Sequence, residues 1–399
     1  MPLADDALAI APDIARLRHA IHREPEIGLH LPGTQRKVLD FLAGAPLEIS
    51  TGNALSSVTA VLRGARADGP VVLLRGDMDA LPVTERTGLA YASQTEGAMH
   101  ACGHDLHTAM LAGAARLLAA RQRELPGSVV FMFQPGEEGL AGARHMIEEG
   151  VLDAAGRRPA AAYALHVFSA ELPTGVISTR PGPMLASSQV LEVTVHGQGG
   201  HASIPHRAAD PIPAACEMVT ALQTMVTRRF DVFDPVVITV GCFQAGTTSN
   251  VIPDQATFQA TIRTFSPAAW QWVREYALAL VNDMASAHGL TVTAGLREGY
   301  PVTVNDDAEA RFAAGVATWL LGEARCVAQA NPLTGSEDFS FVLEQVPGAF
   351  LSLGACPPGT DPQAAPTNHA AEAVFDDSVL ATGAALYAEL ALQRLAAGD

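Results

Sequence analysis

The chain has 399 residues, 48% hydrophobic and 17% charged; this length accommodates two or three domains at roughly 150 residues each, and the composition excludes a disordered chain. Twenty-five basic residues against 42 acidic ones leave a formal charge of −17. That field repels phosphate backbones and anionic lipid, which argues against nucleic-acid and membrane partners.

From the N-terminus, Met1 to Arg18 carries Asp5, Asp6 and Asp13 and lacks the basic segment and apolar run of a secretory signal. Leu8, Ile14, Leu17 and Ile21 recur near helical spacing and predict an amphipathic helix. Val58 to Leu62 and Val71 to Leu74 predict strands. Thr108 to Ala120, rich in Ala, Leu and Met, predicts a helix, and its apolar run is too short to span a membrane. Ser128 to Phe133 predicts a buried strand that stops at Pro135-Gly136. A short helix over Ala141 to Glu149, ended by Gly150, precedes a strand at Ala161 to Val167. Strands joined by helices imply βαβ units and a largely parallel sheet covered on both faces.

The pattern changes near Pro181-Gly182-Pro183. Gln189 to His196 alternates with period two, so one face is expected to be wet. Then follow a helix at Asp210 to Arg229, strands at Val236 to Phe243 and Ala256 to Phe265, a helix at Pro267 to His288 and a strand at Thr291 to Leu296. This β-α-β-β-α-β order is that of a split βαβ, ferredoxin-like α+β domain. It predicts an insertion at residues 184–298 within an α/β domain made of residues 1–183 and 299–399. Helical and strand patterns resume at Ala308 to Leu321, Ser336 to Gln345, Ala349 to Leu353 and Val379 to Ala397, and return the tail to the first sheet. The five cysteines (Cys102, Cys216, Cys242, Cys326, Cys356) are scattered and odd in number, which predicts free thiols in a reducing cytoplasmic setting.

Chemistry-bearing residues fall at predicted strand ends. Cys102-Gly103-His104 can offer a thiolate and an imidazole to one site, because Gly103 lets the backbone turn tightly. The plain alternative is a buried cysteine beside helix-start histidines. Glu137 and Glu138, between Gly136 and Gly139, can point in different directions, one to metal and one to protons; alone they would read as a solvated acidic loop. Asp77-Met78-Asp79 follows a strand, His166 ends one, and His369 lies in the loop ahead of the last helix. One cysteine, several histidines and a glutamate around one sheet edge suit two transition-metal ions better than one. In the inserted domain, His201 tips a glycine-rich loop, while Asn250 and Arg263 are polar among apolar neighbours. Arg263 has the fork geometry to clamp a carboxylate.

These segments, in this order, resemble the dinuclear-metal amidohydrolases that include hippurate hydrolase, N-acyl-amino-acid amidohydrolases and plant auxin-conjugate hydrolases. The resemblance runs through HREPEIG (His22 to Gly28), RGDMDALPVTERTGLAYAS (Arg75 to Ser93), MHACGHDLHTAMLAGAA (Met99 to Ala115), FQPGEEG (Phe133 to Gly139), HGQGGHASIPH (His196 to His206), SNVIPD (Ser249 to Asp254), GSEDFS (Gly335 to Ser340) and PGAFLSLG (Pro347 to Gly354). It implies an α/β/α metal-binding domain carrying a smaller lid and dimerisation domain. The implied ligands of two divalent ions (zinc, manganese, cobalt or nickel) are Cys102, His104, Glu138, His166 and His369. Glu137 is the implied general base and later acid, and Asp79 the implied carboxylate that orients a ligand. His201 would reach across a homodimer interface toward the scissile carbonyl, with Asn250 and Arg263 holding the substrate. The implied activity is hydrolysis of small N-acyl amino acids. Around His369 the chain departs from the usual pattern, reading Thr367-Asn368-His369-Ala370-Ala371, which alters the expected pocket wall.

Other readings stay open on residues alone. The scaffold also suits a metallo-aminopeptidase or dipeptidase, which needs an anionic partner for a free amine. A non-catalytic metal-binding homologue would lack the base, whereas Glu137 is present. Cys102 with His104 would serve a cysteine hydrolase, which chelators would spare.

Overall fold

The computed structural model describes residues 3–66 and 68–398. Two compact units divide the chain. One comprises Met1–Met184, Val304–Asn331 and Asp338–Asp399; the other comprises Leu185–Thr303 and Pro332–Glu337.

In the first unit, helix α1 (Ala4–Arg23) has Asp5 and Asp6 in its first turn and His22 and Arg23 in its last, complementing the helix dipole at both ends. Ile14, Leu17 and Ile21 are buried, but Leu8 is 63% exposed and Ala7 faces inward instead. One residue rotates a helix by about 100°, enough to move Leu8 off the buried stripe. Helix α2 (Pro32–Leu42), outside the predicted elements, starts on a proline whose missing N–H costs nothing there. The chain then forms β1 (Glu48–Thr51), β2 (Val58–Arg63), β3 (Val71–Asp77), α3 (His104–Ala120), β4 (Ser128–Gln134), α4 (Gly142–Glu148), β5 (Ala161–Phe168) and β6 (Ile177–Thr179).

The second unit contains β7 (Gln189–His196), α5 (Pro211–Arg229), β8 (Val236–Ala245), β9 (Gln255–Thr264), α6 (Pro267–Ala287) and β10 (Thr291–Glu298). Its four-stranded sheet is antiparallel with order β8-β9-β7-β10, the ferredoxin-like arrangement. Inward residues of β7 (Leu191, Val193, Val195) and β9 (Phe258, Ile262) meet Met218 and Leu222 of α5 and Val273 and Val281 of α6 in one core. Asp210 caps α5 by accepting from the Ile212 amide, and Ser266 caps α6 by accepting from Ala269.

The chain returns to the first unit with α7 (Asp307–Leu321), β11 (Cys326–Ala328), α8 (Ser340–Leu343), β12 (Gly348–Gly354) and α9 (Val379–Ala397). The large sheet has order β1-β2-β4-β3-β5-β12-β6-β11. It is mixed rather than largely parallel. Strands β4, β3, β5 and β12 run parallel, while β1–β2, β2–β4 and β12–β6 are antiparallel pairs. Every position of β3, β4 and β12 is buried; side chains alternate between faces, so both faces are covered. Helix α3 packs against α1, α9 and β3 and is buried almost all round. Of Ser336 to Gln345 only α8 is helical, because the Asp338 carboxylate is drawn to Arg75, the Gln134 side chain and the Ala143 amide. Among the described residues no helix is long and apolar enough to cross a membrane. All five cysteines are free.

Candidate metal centre

The parallel strands β3, β4 and β5 end at one edge, where ligands gather in open α/β sheets. The end of β3 leads into Asp79, the end of β4 leads into the Pro135–Glu138 loop, and the end of β5 carries His166. Helix α3 begins there at His104. Gly103 before it has φ 82°, and a Cβ on it would lie 2.3 Å from Val167 Cγ2. Glycine therefore lets Cys102 and His104 come up against β5. His369 arrives from the loop before α9 with φ 72°, and its N–H donates to Ala101 O at 2.8 Å. A left-handed residue with a side chain costs on the order of 1 kcal/mol, which the neighbouring Asn368 offsets. Its Oδ1 accepts from the Ser169 amide (3.0 Å) and its Nδ2 donates to Val167 O (3.0 Å).

These elements bring the five predicted donors together. Cys102 Sγ lies 3.4 Å from His166 Nε2 and 3.3 Å from His369 Nε2. Glu138 Oε1 lies 3.3 Å from His369 Nε2 and 4.0 Å from His104 Nε2. Donors about 2.0–2.3 Å from one ion in a tetrahedral array stand roughly 3.3–3.8 Å apart, so this spacing suits shared ions. Among the described residues, Glu138 Oε1 and both ring nitrogens of His104 are buried with only loose ion-pair contacts, such as His369 Nε2 at 3.3 Å and Asp79 Oδ1 at 3.4 Å, in place of a well-formed hydrogen bond, a costly condition that a cation would relieve. Two overlapping donor sets emerge: Cys102, His104 and His166, and Cys102, Glu138 and His369. A thiolate, three imidazoles and a carboxylate fit a pair of transition-metal ions.

The charges agree with this assembly. The Cys102 sulfur and the Glu138 carboxylate beside the ring raise the His369 pKa to about 10, against burial. Burial opposes the charged ring of His104, but Asp77 and Cys102 outweigh it and hold its pKa well above the ordinary value. Burial pushes His166 well below it, and the neighbouring His107 adds to that. Burial also opposes the Glu138 carboxylate, yet His369 and His104 keep its pKa low. The cluster thus concentrates negative donors on imidazoles that a divalent ion would replace as the counter-charge.

Glu137 is 6% exposed and close to His104 and Glu138. Asp79, 1% exposed, fixes this loop: its Oδ1 accepts from the Glu137 amide and its Oδ2 from the Glu138 amide, both at 3.0 Å. Asp79 Oδ1 also stands 3.4 Å from His104 Nδ1. Residues without a predicted role add support. Asp338 accepts from Arg75 (2.9 Å), the Gln134 side chain (2.8 Å) and the Ala143 amide (2.9 Å), bracing the loop at both ends. Arg75 in turn donates to Asp77 at 2.5 Å. The arginine four residues after a β-branched strand start, and the acid in GSEDFS, were the available signals for this pair.

In the second unit, Gly200–His201 pairs antiparallel with Val251–Ile252, and the Ala202 amide donates to Asn250 O at 3.1 Å. His201 and Asn250 are therefore neighbours, both exposed, at the Gln255 end of β9. Arg263 is not with them. It sits near the other end of β9, half-buried, with Nη1 3.4 Å from Ser187 O, and burial lowers its pKa. Eight residues at about 3.3 Å each put it on the order of 25 Å away along the strand.

Known proteins share this architecture. N-acetylcysteine deacetylase of Bacillus subtilis (strain 168) is 37% identical over 380 residues, 95% of this chain and 96% of that protein. IAA-amino acid hydrolase ILR1-like 4 of Arabidopsis thaliana is 37% identical over 383 residues, 95% of this chain and 85% of that protein. A crystal structure of a dinuclear metal-binding M20-family peptidase from Bacillus subtilis superposes with TM-score 0.84 at 33% identity, covering 97% of this chain and 99% of that one. The profile of peptidase family M20/M25/M40 matches residues 73–393, and the chain belongs to that family.

Proposed function

We propose that this protein is a metal-dependent amidohydrolase that cleaves the amide bond of small N-acyl amino acids, releasing a carboxylic acid and an amino acid. The observation that carries the reading is the convergence of Cys102, His104, Glu138, His166 and His369, from the buried Cys102 and His104 out to the exposed His369, beside a second carboxylate, Glu137. The names of the relatives, a deacetylase of N-acetylcysteine and a hydrolase of IAA–amino acid conjugates, support the substrate class. We assign the five residues as ligands of two divalent ions, with zinc, manganese, cobalt and nickel as the candidates. When bound, the ions would polarise the scissile carbonyl and acidify the attacking water.

The chain's own residues supply the rest. The Glu137 carboxylate takes the water proton and delivers it to the amide nitrogen, so that the amine leaves neutral. Asp79 holds Glu137 and Glu138 at a fixed separation through their two amides. His201 donates to the developing oxyanion with Asn250 beside it, and Arg263 clamps the substrate carboxylate. Arg263 stands on the order of 25 Å along β9 from the other two, farther than a small N-acyl amino acid reaches. One substrate therefore meets both groups only if two chains contribute, and the working form is a homodimer. We place the enzyme in the cytoplasm, where the Cys102 thiol stays reduced.

The test is amine release from N-acetyl, N-benzoyl and indole-acetyl amino acids and a dipeptide, on metal-stripped protein and after each metal is restored. Turnover of acylated amino acids that returns only with metal is expected. Dipeptide-only turnover would move the assignment to a peptidase, and chelator-resistant turnover would discard the metal reading.

A further inference from the structure

We propose that His107 is a positioning residue of this centre. It is a neutral imidazole that ties the end of β3 to the end of β5 and so sets where His166 stands relative to Cys102 and His104. The proposal rests on the metal-dependent reading above and concerns a residue to which that reading gives no role.

His107 lies three residues after His104 on α3, fully buried. Its Nδ1 is 2.5 Å from Asp77 Oδ1, and its Nε2 accepts the Val167 N–H at 2.7 Å. A backbone amide only donates, so Nε2 must carry its lone pair. The ring proton therefore sits on Nδ1, where the Asp77 carboxylate receives it. An imidazolium would set two N–H groups against each other at Val167. Both ring nitrogens are thus engaged. Although Asp77, His104 and His107 have a spacing compatible with an ion, His107 has no lone pair free to bind one. The other Asp77 oxygen accepts from Arg75 at 2.5 Å, and Thr108 Oγ1 donates to Asp77 O at 2.7 Å. The acceptor end of the bridge is itself fixed.

What the bridge grips is the peptide joining His166 to Val167. The His166 and His107 rings meet edge to face with centroids 4.6 Å apart. His166 Nδ1 is 2.9 Å from Val167 O, which leaves Nε2 turned to Cys102 Sγ at 3.4 Å. Releasing the Val167 amide would let this peptide, and the His166 ring with it, drift from the donor set by more than metal coordination tolerates. The task needs a donor at one end of a side chain and an acceptor at the other. Glutamine retains that pair; leucine has neither.

Cobalt(II) titration of metal-stripped wild type, His107→Gln and His107→Leu tests this, read by the thiolate-to-cobalt absorption from Cys102. Circular dichroism checks the fold. We expect affinity to fall about 10- to 100-fold in the leucine variant and to stay within several-fold of wild type in the glutamine variant. Wild-type affinity in the leucine variant would overturn the proposal alone. A folded glutamine variant as weak as the leucine one would overturn it too, because the hydrogen-bond pair would then not be what matters. Failure of wild type itself to bind cobalt would instead overturn the metal reading, and this proposal with it. Should leucine prevent folding, nitrogen-15 NMR of wild type decides. A protonated Nδ1 and a bare Nε2, with and without zinc, are expected; a doubly protonated or metal-bound ring overturns the proposal.

Discussion

Asp79→Asn probes how the Glu137–Glu138 loop is held. Asp79 is 1% exposed, and its two oxygens each accept one amide, from Glu137 and Glu138, at 3.0 Å. Both partners are donors, so no rotation of an asparagine amide satisfies both. One oxygen keeps its bond, and the new NH2 faces an N–H. The loss is one charge-assisted hydrogen bond, about 1.5–3 kcal/mol, plus a buried donor left unpaired, about 1–3 kcal/mol. A total near 3–5 kcal/mol is expected once the loop relaxes. Relaxation also moves Glu137, and a shift of about 1 Å at such a group costs about 100-fold in rate. Urea unfolding of metal-free protein measures the first effect, and kcat at saturating metal the second. An Asp79→Asn enzyme with wild-type unfolding midpoint and wild-type kcat would refute the role given to Asp79.

Four further outcomes follow from named contacts. Arg18 and Asp105 are both fully buried and meet at 2.6 Å; Arg18→Met removes this charge-assisted bond while His22 Nδ1 still faces the carboxylate at 2.7 Å, and should cost about 1.5–3 kcal/mol in urea unfolding; a loss below about 1 kcal/mol would contradict this. Burial opposes the Glu85 charge, but His22, Thr87 and the Ser93 amide bring its pKa from 4.5 to about 2. Its contribution is complete above pH 4.5 and lost as pH falls toward 2, so Glu85→Gln should flatten the acid limb of the unfolding midpoint. His22 has the opposite sign: although burial opposes it, Asp105 raises its pKa above 6.5, so its contribution holds below pH 6.5 and fades as pH rises through the raised value. Cys102→Ser should hold less metal when metal is limiting, since a hydroxyl is a poorer ligand than a thiolate; unchanged metal content would remove Cys102 from the ligand set.

Much of this architecture was legible because periodicity and punctuation are local. The α1 stripe, the SVVFMF strand and the α5 start at Asp210 all follow from neighbours a few residues apart. Leu8 was misplaced because Ala7 and Leu8 differ by one step, and only packing shows which faces inward. Strand direction in the large sheet carries no local mark, so its antiparallel pairs were not anticipated. The segment Ser336 to Gln345 looked regular but is helical only at Ser340–Leu343. There Asp338 is held by Arg75, Gln134 and Ala143, partners 195 to 263 residues away. At the candidate centre, the donors Cys102, His104 and Glu138 announced themselves by type and spacing. His107, Arg75 and Asn368 did not, because their partners are backbone amides, carbonyls and buried carboxylates that only the folded chain brings near. The 25 Å order of separation between Arg263 and Asn250 was hidden for the same reason: 13 positions in sequence do not say whether a strand or a turn joins them.

The central claim is that Glu137 moves the proton in a reaction that depends on ions held by its neighbours. The most direct test is Glu137→Gln, with metal content measured by atomic emission and turnover measured on the best N-acyl amino acid at saturating metal. Wild-type metal content is expected, with turnover lowered by about 100- to 10,000-fold, the usual range for losing a general base. Wild-type turnover, with metal bound, would contradict it.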